Sequence, residues 1–457
     1  MRILFVSRGF PPHGRWGTEA YTLQLARGLV RLGHQVSVFH PDLRDDRPAY
    51  GLERLEEGPF RVTRVSLPRV RGKRLETSYE DERLEACFAA FLERERPDLV
   101  HFTYLLWTLS VRLPLVAQRL GIPAVLTATD FGLACHRGQC FDWKLADCGG
   151  PRPAADCARC IREPSPDEGP RLAVETKRWL ARALALCGGF GRVVVTADVE
   201  RREACVREAL GAVAHAFAPT ASVVGMLRHA GLAPERITPL VYAVDDAPLL
   251  AARPRPAGPE TRIAFLGQFA PHKGAHVLLD AVEIMEHRLP ESVEPWRVVL
   301  HGEGVEGRHR RYPAALAARV QRTNSPRVLL APPFETGGVA RVLAGLSCVV
   351  VPSLWRENAP LSALEARAAG IPVIASDVPG LSEIIEPGVH GALFPPGDAA
   401  ALADLLRAVI LGRIPARHAP SQPLSYADHL ERVLAVYRRV AASGAPWGGP
   451  WGALAAP

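Results

Sequence analysis

Lysine is scarce in this chain. Only four lysines, Lys73, Lys144, Lys177 and Lys273, occur among 55 basic residues, so arginine carries nearly all of the positive charge. This composition weakens any argument from arginine clusters, whereas the position of each lysine becomes informative. Hydrophobic residues make up 48% and charged residues 23%, as in soluble globular proteins, and 457 residues are enough for two or three domains with separate cores.

Long apolar runs are also missing. No stretch reaches the roughly 20 apolar residues that a membrane-spanning helix needs. The first residues, MRILFVSRGF, contain an apolar run that is too short and too soon interrupted for a signal peptide. We therefore expect a cytoplasmic protein.

The formal net charge is +7, and basic residues concentrate in the stretch RVTRVSLPRVRGKR, Arg61–Arg74. This pattern favours a solvated face. The alternative is attraction to an anionic lipid surface, which would place the protein peripherally at the inner face of the membrane, or to an acidic acceptor. Nucleic acid is not expected as a partner, because no aromatic residues are interleaved with these charges.

Short apolar runs alternate with helical patterns in both halves of the chain. Runs typical of buried parallel strands are RILFVS, QVSVFH, DLVHFT and AVLTAT in the first half and RIAFLGQ, RVVLHGE, RVLLAP, CVVVPS and PVIAS in the second. The alternation predicts an α/β fold of two doubly wound, Rossmann-like domains. We place them at 1–241 and 242–412, with a Pro-rich join near 242–261, a helical segment at 413–442 and a flexible tail at 443–457.

Ligands of doubly wound sheets bind where the strands end, and three turns occur there. After the first strand, the turn RGFPPHGRWGTEAY places Gly14 and Gly17 just before a helix, where the backbone can approach a ligand closely. After RIAFLGQ, the turn FAPHKGAH places Lys273 at the start of a helix. A cation at that position opposes the helix dipole unless an anion is also present. This rare lysine therefore indicates an anion site.

The third turn, RENAPLSALEARAAG, holds Glu357 and Glu365 with seven residues between them. Pro360 suits the start of a helix, so Glu357 belongs to a loop and Glu365 to the helix. The unpaired N–H groups of Leu361 and Ser362 would then seat an anion between two carboxylates, an arrangement that suits a sugar nucleotide. The spacing alone is also compatible with an ordinary helix–strand unit that carries solvated glutamates.

These stretches together resemble the retaining nucleotide-sugar glycosyltransferases of family 4, which have the GT-B fold of two facing Rossmann-like domains. The resemblance covers nearly the whole chain, and its most specific part is the pair of glutamates with seven residues between them. It implies transfer of a sugar from a nucleotide-diphosphate-sugar donor to a polysaccharide, lipid-linked or small-molecule acceptor. The alternatives are a catalytically silent nucleotide-sugar-binding protein of the same fold, a nucleotide-sugar epimerase and a phosphorylase.

The resemblance also implies a role for each site residue. Glu365 would bind the ribose, Glu357 the transferred sugar, and Lys273 with the helix N-terminus the diphosphate, beside Gly17. No convincing Asp-x-Asp motif is present, so lysine and helix dipole would replace a divalent ion and no cofactor is expected for catalysis. The implied donor-binding residues are Gly17, Gln268, Lys273, Glu357, Leu361, Ser362 and Glu365, and the implied catalytic residues are Glu357, Lys273 and Asp130.

Two positions depart from the family pattern. Gln268 stands where the family usually has an arginine, which removes one positive charge from the phosphate site. Thr129 precedes Asp130 where many members have His-Asp. The histidine normally contacts the donor sugar, and threonine offers only a hydroxyl in its place.

Five of the nine cysteines lie in a loop directly after Asp130, which we place at 131–165 and call the cysteine loop. Cys157-x-x-Cys160 has the spacing of half a zinc knuckle. Cys140 and Cys148 would complete the four ligands of a structural zinc. Free thiols in an irregular loop are the alternative, whereas disulfides are not expected in a reducing cytosol.

Overall fold

The structure is a computed structural model that describes residues 1–442 apart from several short segments. The expected tail at 443–457, residues 69–74 of the basic stretch and residues 252–259 of the Pro-rich join lie outside the described residues. The segments left out within 1–442 are 13, 15, 44–45, 69–74, 167–172, 174, 177–178, 181–182, 184–193, 252–259, 290–294, 305–308, 324, 335–337 and 415–419.

Eight strands form the first sheet, in the order β3-β4-β2-β1-β5-β6-β7-β8. All neighbours pair in parallel except β3 and β4. The strands are β1 (Arg2–Val6), β2 (Gln35–Leu43), β3 (Leu52–Glu57), β4 (Phe60–Leu67), β5 (Leu99–Phe102), β6 (Ala124–Thr127), β7 (Val213–Ala218) and β8 (Ile237–Pro239). The helices of this half are α1 (Gly17–Arg31), α2 (Glu82–Glu95), α3 (Leu113–Arg119), α4 (Ala154–Arg162), α5 (Thr196–Gly211) and α6 (Ala221–His229). The next helix, α7 (Ala247–Ala251), packs on two helices of the second half, Val339–Leu343 and Leu361–Ala368.

The second sheet has six strands, all parallel, in the order β11-β10-β9-β12-β13-β14. Its strands are β9 (Thr261–Leu266), β10 (Trp296–His301), β11 (Val328–Ala331), β12 (Cys348–Val351), β13 (Val373–Ser376) and β14 (Gly391–Phe394). The helices are α8 (Ala275–Glu286), α9 (Tyr312–Thr323), α10 (Val339–Leu343), α11 (Leu361–Ala368), α12 (Ala399–Ile410) and α13 (Tyr426–Ala442).

The central strands are mostly apolar because helices cover both faces of a parallel sheet. Every residue of β5, β6 and β12 is buried, including the polar His101 and Thr127. The imidazole of His101 contacts the hydroxyl of Thr127 at 2.8 Å, so neither polar group is left without a partner. The predicted α/β fold with two doubly wound sheets is confirmed.

The last helix, α13, packs on the first sheet and on α1. Leu430 comes so close to α1 that a Cβ on Gly28 would lie 2.6 Å from its methyl carbons. The ring of His429 lies 3.1 Å from the carbonyl oxygen of Val241, and the Tyr437 hydroxyl contacts His101. The chain therefore returns from the second sheet to the first.

The described part of the basic stretch does not form a uniformly solvated face. Arg64 lies on β4 and is only 6% exposed. Its guanidinium lies 3.7 Å from Glu57 and 3.9 Å from both Glu53 and Asp42. These carboxylates compensate the buried charge, as a buried cation requires. Within the described residues, no helix is both long enough and apolar enough to cross a membrane.

Candidate functional site

Lys273 lies at the carboxyl end of β9, in a short 3-10 helix, Pro271–Lys273, that leads into α8. Gly274 follows with a φ of 71°. A Cβ at this glycine would lie 1.7 Å from the carbonyl oxygen of Pro352, so only glycine fits. This close approach holds the lysine turn against the segment after β12, which carries Glu357.

An ion pair joins the two residues. Lys273 Nζ lies 2.8 Å from Glu357 Oε1 and 2.9 Å from Oε2, although 84 residues separate them in sequence. The lysine side chain is 21% exposed and that of the glutamate only 3%. Because the pair lies largely out of water, salt screens it weakly. The structure thus brings together the two residues with the strongest predicted roles.

Two further hydrogen bonds orient Glu357. Ser353 Oγ donates to its Oε1 at 2.5 Å, and the indole N–H of Trp355 donates to the same oxygen at 2.9 Å. The Trp355 ring also lies 4.9 Å from Lys273 Nζ, in cation–π contact. Trp355 therefore touches both members of the ion pair. The sequence analysis missed Trp355 and Ser353, although both lie within four residues of Glu357.

The N-terminus of α11 lies just beyond Glu357. Pro360 occupies the N-cap position with φ −61° and ψ 127°, and its carbonyl oxygen accepts from Ala363 N–H at 3.1 Å. The N–H groups of Leu361 and Ser362 precede the first intrahelical donors, so they have no partner within the helix. Unpaired N–H groups at a helix N-terminus attract anions together with the helix dipole, and the anion seat at Leu361 and Ser362 stays a prediction.

Glu365 lies in the middle of α11 and is partly buried. Burial raises the pKa of its carboxyl from 4.5 to about 8, since removal from water disfavours the charged form. Near neutral pH much of this group is therefore protonated, and it can both donate and accept hydrogen bonds.

We expect Glu365→Gln to make stability less dependent on pH. A carboxyl whose pKa rises from 4.5 to about 8 on folding stabilises the fold fully below pH 4.5 and loses that contribution as the pH rises through 8. Glutamine stays neutral throughout. At pH 9 the variant should exceed the wild type in unfolding free energy by about 1 kcal/mol or more, because one pKa unit corresponds to about 1.4 kcal/mol. Urea unfolding at pH 5 and pH 9 measures this difference.

The exposed Glu431 on α13 offers a matched control. In Glu431→Gln, the unfolding free energy should differ between pH 5 and pH 9 by the same amount as in the wild type. If Glu365→Gln did the same, the raised pKa of Glu365 would be wrong.

On the first sheet, Thr129 and Asp130 follow β6. The Thr129 hydroxyl donates to the carbonyl oxygen of Thr103 at 2.8 Å and accepts from Thr18 at 2.9 Å. Its only hydrogen is therefore engaged within the protein, so Thr129 does not offer a free donor in place of the family's histidine. Asp130 accepts from the N–H of Gly132 at 2.7 Å, and burial raises the pKa of its carboxyl to about 6.

The other predicted residues lie at strand ends without contacting the ion pair. Gly17 is the first residue of α1, and a Cβ there would meet no atom within 4 Å, so its surface is open to a ligand. Gln268 follows β9 and is partly exposed. Among the described residues, no hydrogen bond or ion pair joins Asp130 to Lys273 or Glu357. The roles of these three residues remain predictions.

Loops from the two sheets meet at the site. Arg356, next to Glu357, forms a bidentate pair with Asp147 of the cysteine loop, at 3.2 and 3.1 Å. The amide nitrogen of Gln139, in the same loop, lies 3.3 Å from the ring of His272, which precedes Lys273. The Asn358 amide donates at 3.0 Å to the carbonyl oxygen of Ala128, the residue that follows β6. The sequence analysis missed these contacts.

Three of the four predicted zinc ligands, Cys148, Cys157 and Cys160, line one cavity together with Cys135, whereas Cys140 does not line it. Cys157 and Cys160 lie on α4. Within the part of the chain that the structure describes, no three or more His, Cys, Asp or Glu side chains are placed to hold a metal ion together. The zinc site stays a prediction.

Two family models match the chain. The model for a glycosyl transferase 4-like domain matches residues 17–243. The model for glycosyl transferases group 1 matches residues 260–411. The first region contains β2 to β8 of the first sheet, the second contains all six strands of the second sheet, and together they cover most of the chain.

Curated relatives are similar over shorter stretches. The phosphatidyl-myo-inositol mannosyltransferase of Mycobacterium leprae is 30% identical over 171 residues, which is 37% of this chain and 42% of that protein. The D-inositol 3-phosphate glycosyltransferase of Mycobacterium marinum is 33% identical over 191 residues, 39% of this chain and 38% of that protein. The matches thus span about two-fifths of the length of these relatives.

Solved structures share the fold over nearly the whole length. HepE of Anabaena, in complex with UDP and glucose, has a TM-score of 0.59 and 16% identity, with 97% of this chain and 99% of that chain covered. Sucrose-phosphate synthase from Thermosynechococcus elongatus has a TM-score of 0.61 and 20% identity, with the same coverage. At this level of identity the likeness establishes the two-sheet fold.

Proposed function

Since the chain belongs to the family of group 1 and 4-like glycosyltransferases, we propose that it transfers a sugar from a nucleotide-diphosphate-sugar donor to an acceptor hydroxyl. The observation that carries this proposal is the Lys273–Glu357 ion pair, with N–O distances of 2.8 and 2.9 Å, next to the open N-terminus of α11. A cation and free backbone donors suit a diphosphate, and a buried carboxylate suits sugar hydroxyls.

Lys273 and the α11 N-terminus would stabilise the leaving diphosphate. In the free protein the Lys273 ammonium is neutralised by Glu357, so a bound diphosphate would compete for the same cation. As the bond to the anomeric carbon breaks, negative charge grows on the phosphate oxygen. Fixed donors that face this charge lower the barrier without reorganising. The arrangement needs no divalent ion for this step.

Glu357 would hold the sugar that is transferred. Ser353 and Trp355 fix one of its oxygens, at 2.5 and 2.9 Å, so the carboxylate has a defined orientation when the sugar arrives. Its negative charge also favours the oxocarbenium-like transition state of glycosyl transfer. We assign the ribose hydroxyls to Glu365, which lies further along the same helix.

The anomeric configuration is retained in this proposal. The acceptor oxygen would attack the anomeric carbon from the face that the diphosphate leaves, and a phosphate oxygen would take the proton of the acceptor hydroxyl. The step then needs no separate protein base. This agrees with the position of Asp130, whose Oδ1 is engaged by a backbone N–H at 2.7 Å.

The acceptor is proposed to be a hydroxyl-rich glycan, a lipid-linked sugar or a small polyol. The relatives from both mycobacteria carry inositol in their names, which supports inclusion of cyclic polyols among the acceptors tested. Peripheral association with a membrane through the basic stretch stays a prediction, and Arg64 is excluded from that role because it is buried among carboxylates.

We expect Trp355→Phe to lower kcat by about tenfold with little change in KM. The phenyl ring keeps the packing against Lys273, but the N–H that donates to Glu357 at 2.9 Å is lost. A hydrogen bond to a charged group is worth about 1.5–3 kcal/mol, part of which would be lost in the transition state. Steady-state kinetics with the best donor measures this effect.

Trp143→Phe, in the cysteine loop, is the matched control and should leave both constants unchanged. If Trp355→Phe raised KM and left kcat unchanged, the indole would serve ground-state binding and not the orientation of Glu357.

A two-stage screen tests the proposed function. Thermal unfolding with a panel of nucleotide sugars identifies the donor, because a ligand that binds only the folded state raises the melting temperature. The donor is then incubated with glycan, lipid-linked and polyol acceptors, and NMR of the product reports its anomeric configuration. We expect a retained configuration. Donor binding without transfer to any acceptor would favour the catalytically silent alternative, and no shift with any nucleotide sugar would overturn the proposal.

A further inference from the structure

The residues on either side of Glu357 are both held by the half of the chain that forms the first sheet. Before Glu357, the guanidinium of Arg356 pairs with both carboxylate oxygens of Asp147, at 3.2 and 3.1 Å. After it, the amide of Asn358, which is only 8% exposed, donates to the carbonyl oxygen of Ala128 at 3.0 Å. The backbone that carries the Glu357 carboxylate is therefore fixed to the first half on both sides.

Lys273 is held in a similar way, through the residue that precedes it. The ring of His272 is buried, and its Nε2 lies 3.3 Å from the amide nitrogen of Gln139 in the cysteine loop. Burial, with the ammonium of Lys273 close by, lowers the pKa of His272 well below 6.5, so the ring is neutral and Nε2 can accept from the amide. The same ring lies edge-on to Trp355, with 4.9 Å between the ring centroids. Both members of the ion pair thus have a neighbour in contact with the cysteine loop.

Asp147 lies on a tight turn that fixes its carboxylate. Its Oδ1 accepts from the N–H of Gly149 at 3.1 Å, and its backbone pairs with Phe141 in antiparallel fashion. Asp142 closes the turn between them, because its Oδ1 accepts from two backbone N–H groups at 2.8 and 3.2 Å. A bidentate pair with a carboxylate held in this way fixes the orientation of the Arg356 guanidinium as well as its position.

We propose that Asp147 is a positioning residue for sugar transfer, which acts on Glu357 through Arg356. In the described part of the chain, no other carboxylate pairs with Arg356, whose side chain is 15% exposed. Without the charge of Asp147, a largely buried guanidinium would lack its counter-ion, and the peptide that carries Glu357 would shift toward water. A displacement of about 1 Å at a reacting group can cost about a hundredfold in rate. The inference rests on the proposed sugar transfer, and it makes the meeting of the two halves a condition for an active Glu357.

The test is a double-mutant cycle in the full chain, with steady-state kinetics of Asp147→Asn, Arg356→Gln and the double variant. Asparagine has nearly the shape of aspartate and can still accept from Gly149, so the turn should persist. We expect Asp147→Asn to lower kcat by about fivefold, a typical coupling for contacting residues, with little change in the KM of the donor. In the Arg356→Gln background the same substitution should have no further effect, because the residue through which Asp147 acts is already replaced.

Asp156→Asn is the matched control, since Asp156 is an exposed residue of the cysteine loop and the change of charge is the same. It should behave as the wild type. A kcat of Asp147→Asn equal to that of the control would overturn the proposal. So would an equal loss from Asp147→Asn with and without Arg356, or a raised KM with kcat unchanged.

A second readout requires no sugar transfer. The indole N–H of Trp355 donates to Glu357 Oε1 at 2.9 Å, so its NMR signal reports the position of this carboxylate. The variant Trp355→Phe identifies that signal among those of the eight tryptophans. We expect the signal to move in Asp147→Asn and to stay in place in Asp156→Asn. If the wild type transferred no sugar, the proposed function would fail. An unchanged Trp355 signal in Asp147→Asn would overturn the present inference whether or not transfer occurs.

Discussion

Lys273→Ala is expected to slow sugar transfer by about a hundredfold or more, because removal of one fixed donor from a developing oxyanion costs about that much. The loss should appear in kcat and in donor affinity alike, since the ammonium would face the diphosphate before and during bond breaking. Steady-state kinetics and titration with the nucleoside diphosphate measure the two effects. Removal of Lys273 leaves the buried Glu357 carboxylate without its cation, so the unfolding temperature of the variant is measured beside its kinetics.

Lys144→Ala is the matched control for this variant. Lys144 is an exposed lysine of the cysteine loop, and its removal changes the net charge equally. The control should transfer sugar at the wild-type rate. Equal rates for Lys273→Ala and Lys144→Ala would show that Lys273 has no role in sugar transfer.

Glu357→Gln should also reduce transfer by about a hundredfold or more. The amide has nearly the shape of the carboxylate, and its oxygen can keep the bonds from Ser353 and Trp355. Its NH₂ group would lie where the second carboxylate oxygen faces Lys273 Nζ at 2.9 Å. The variant thus loses the negative charge that would favour an oxocarbenium-like transition state.

Steady-state kinetics of Glu357→Gln and of the control Glu431→Gln check this expectation. Glu431 is exposed, and its variant should behave as the wild type. Donor affinity should fall much less than kcat, since the sugar is one part of the donor and the nucleotide sites remain. A Glu357→Gln variant that kept most of the wild-type kcat would exclude this carboxylate from the reaction.

The sheets could be predicted in large part from apolar runs. RILFVS, QVSVFH, DLVHFT and AVLTAT correspond to β1, β2, β5 and β6. The edge strand β3 could not be predicted, because its sequence, LERLEE, lacks the alternation of a half-buried strand and consists mostly of charged residues. It forms only because β4 pairs with it. Tertiary pairing overrides the weak local preference here.

The candidate site was predictable where residues mark strand ends and helix starts. Lys273 and Glu357 follow different strands of one parallel sheet, so their meeting follows from topology. The contacts of Trp355 with Lys273 and Glu357 were not predictable, because they depend on the course of the turn after β12. The ion pair of Arg356 with Asp147 was not predictable either, since a pair between loops of different sheets depends on how the two sheets face each other. The cysteines illustrate the same limit, because spacing paired Cys157 with Cys160 but could not show that Cys135 lines one cavity with Cys148, Cys157 and Cys160.

Calorimetric titration with nucleosides and nucleoside diphosphates tests most directly whether Lys273 and the N-terminus of α11 hold the donor diphosphate. Uridine, guanosine and adenosine compounds are compared in the wild type and in Lys273→Ala. We expect one diphosphate to bind the wild type far more tightly than its nucleoside, and Lys273→Ala to lose about tenfold or more of this preference while nucleoside affinity stays the same. An undiminished preference for the diphosphate in Lys273→Ala would show that Lys273 does not hold the donor diphosphate.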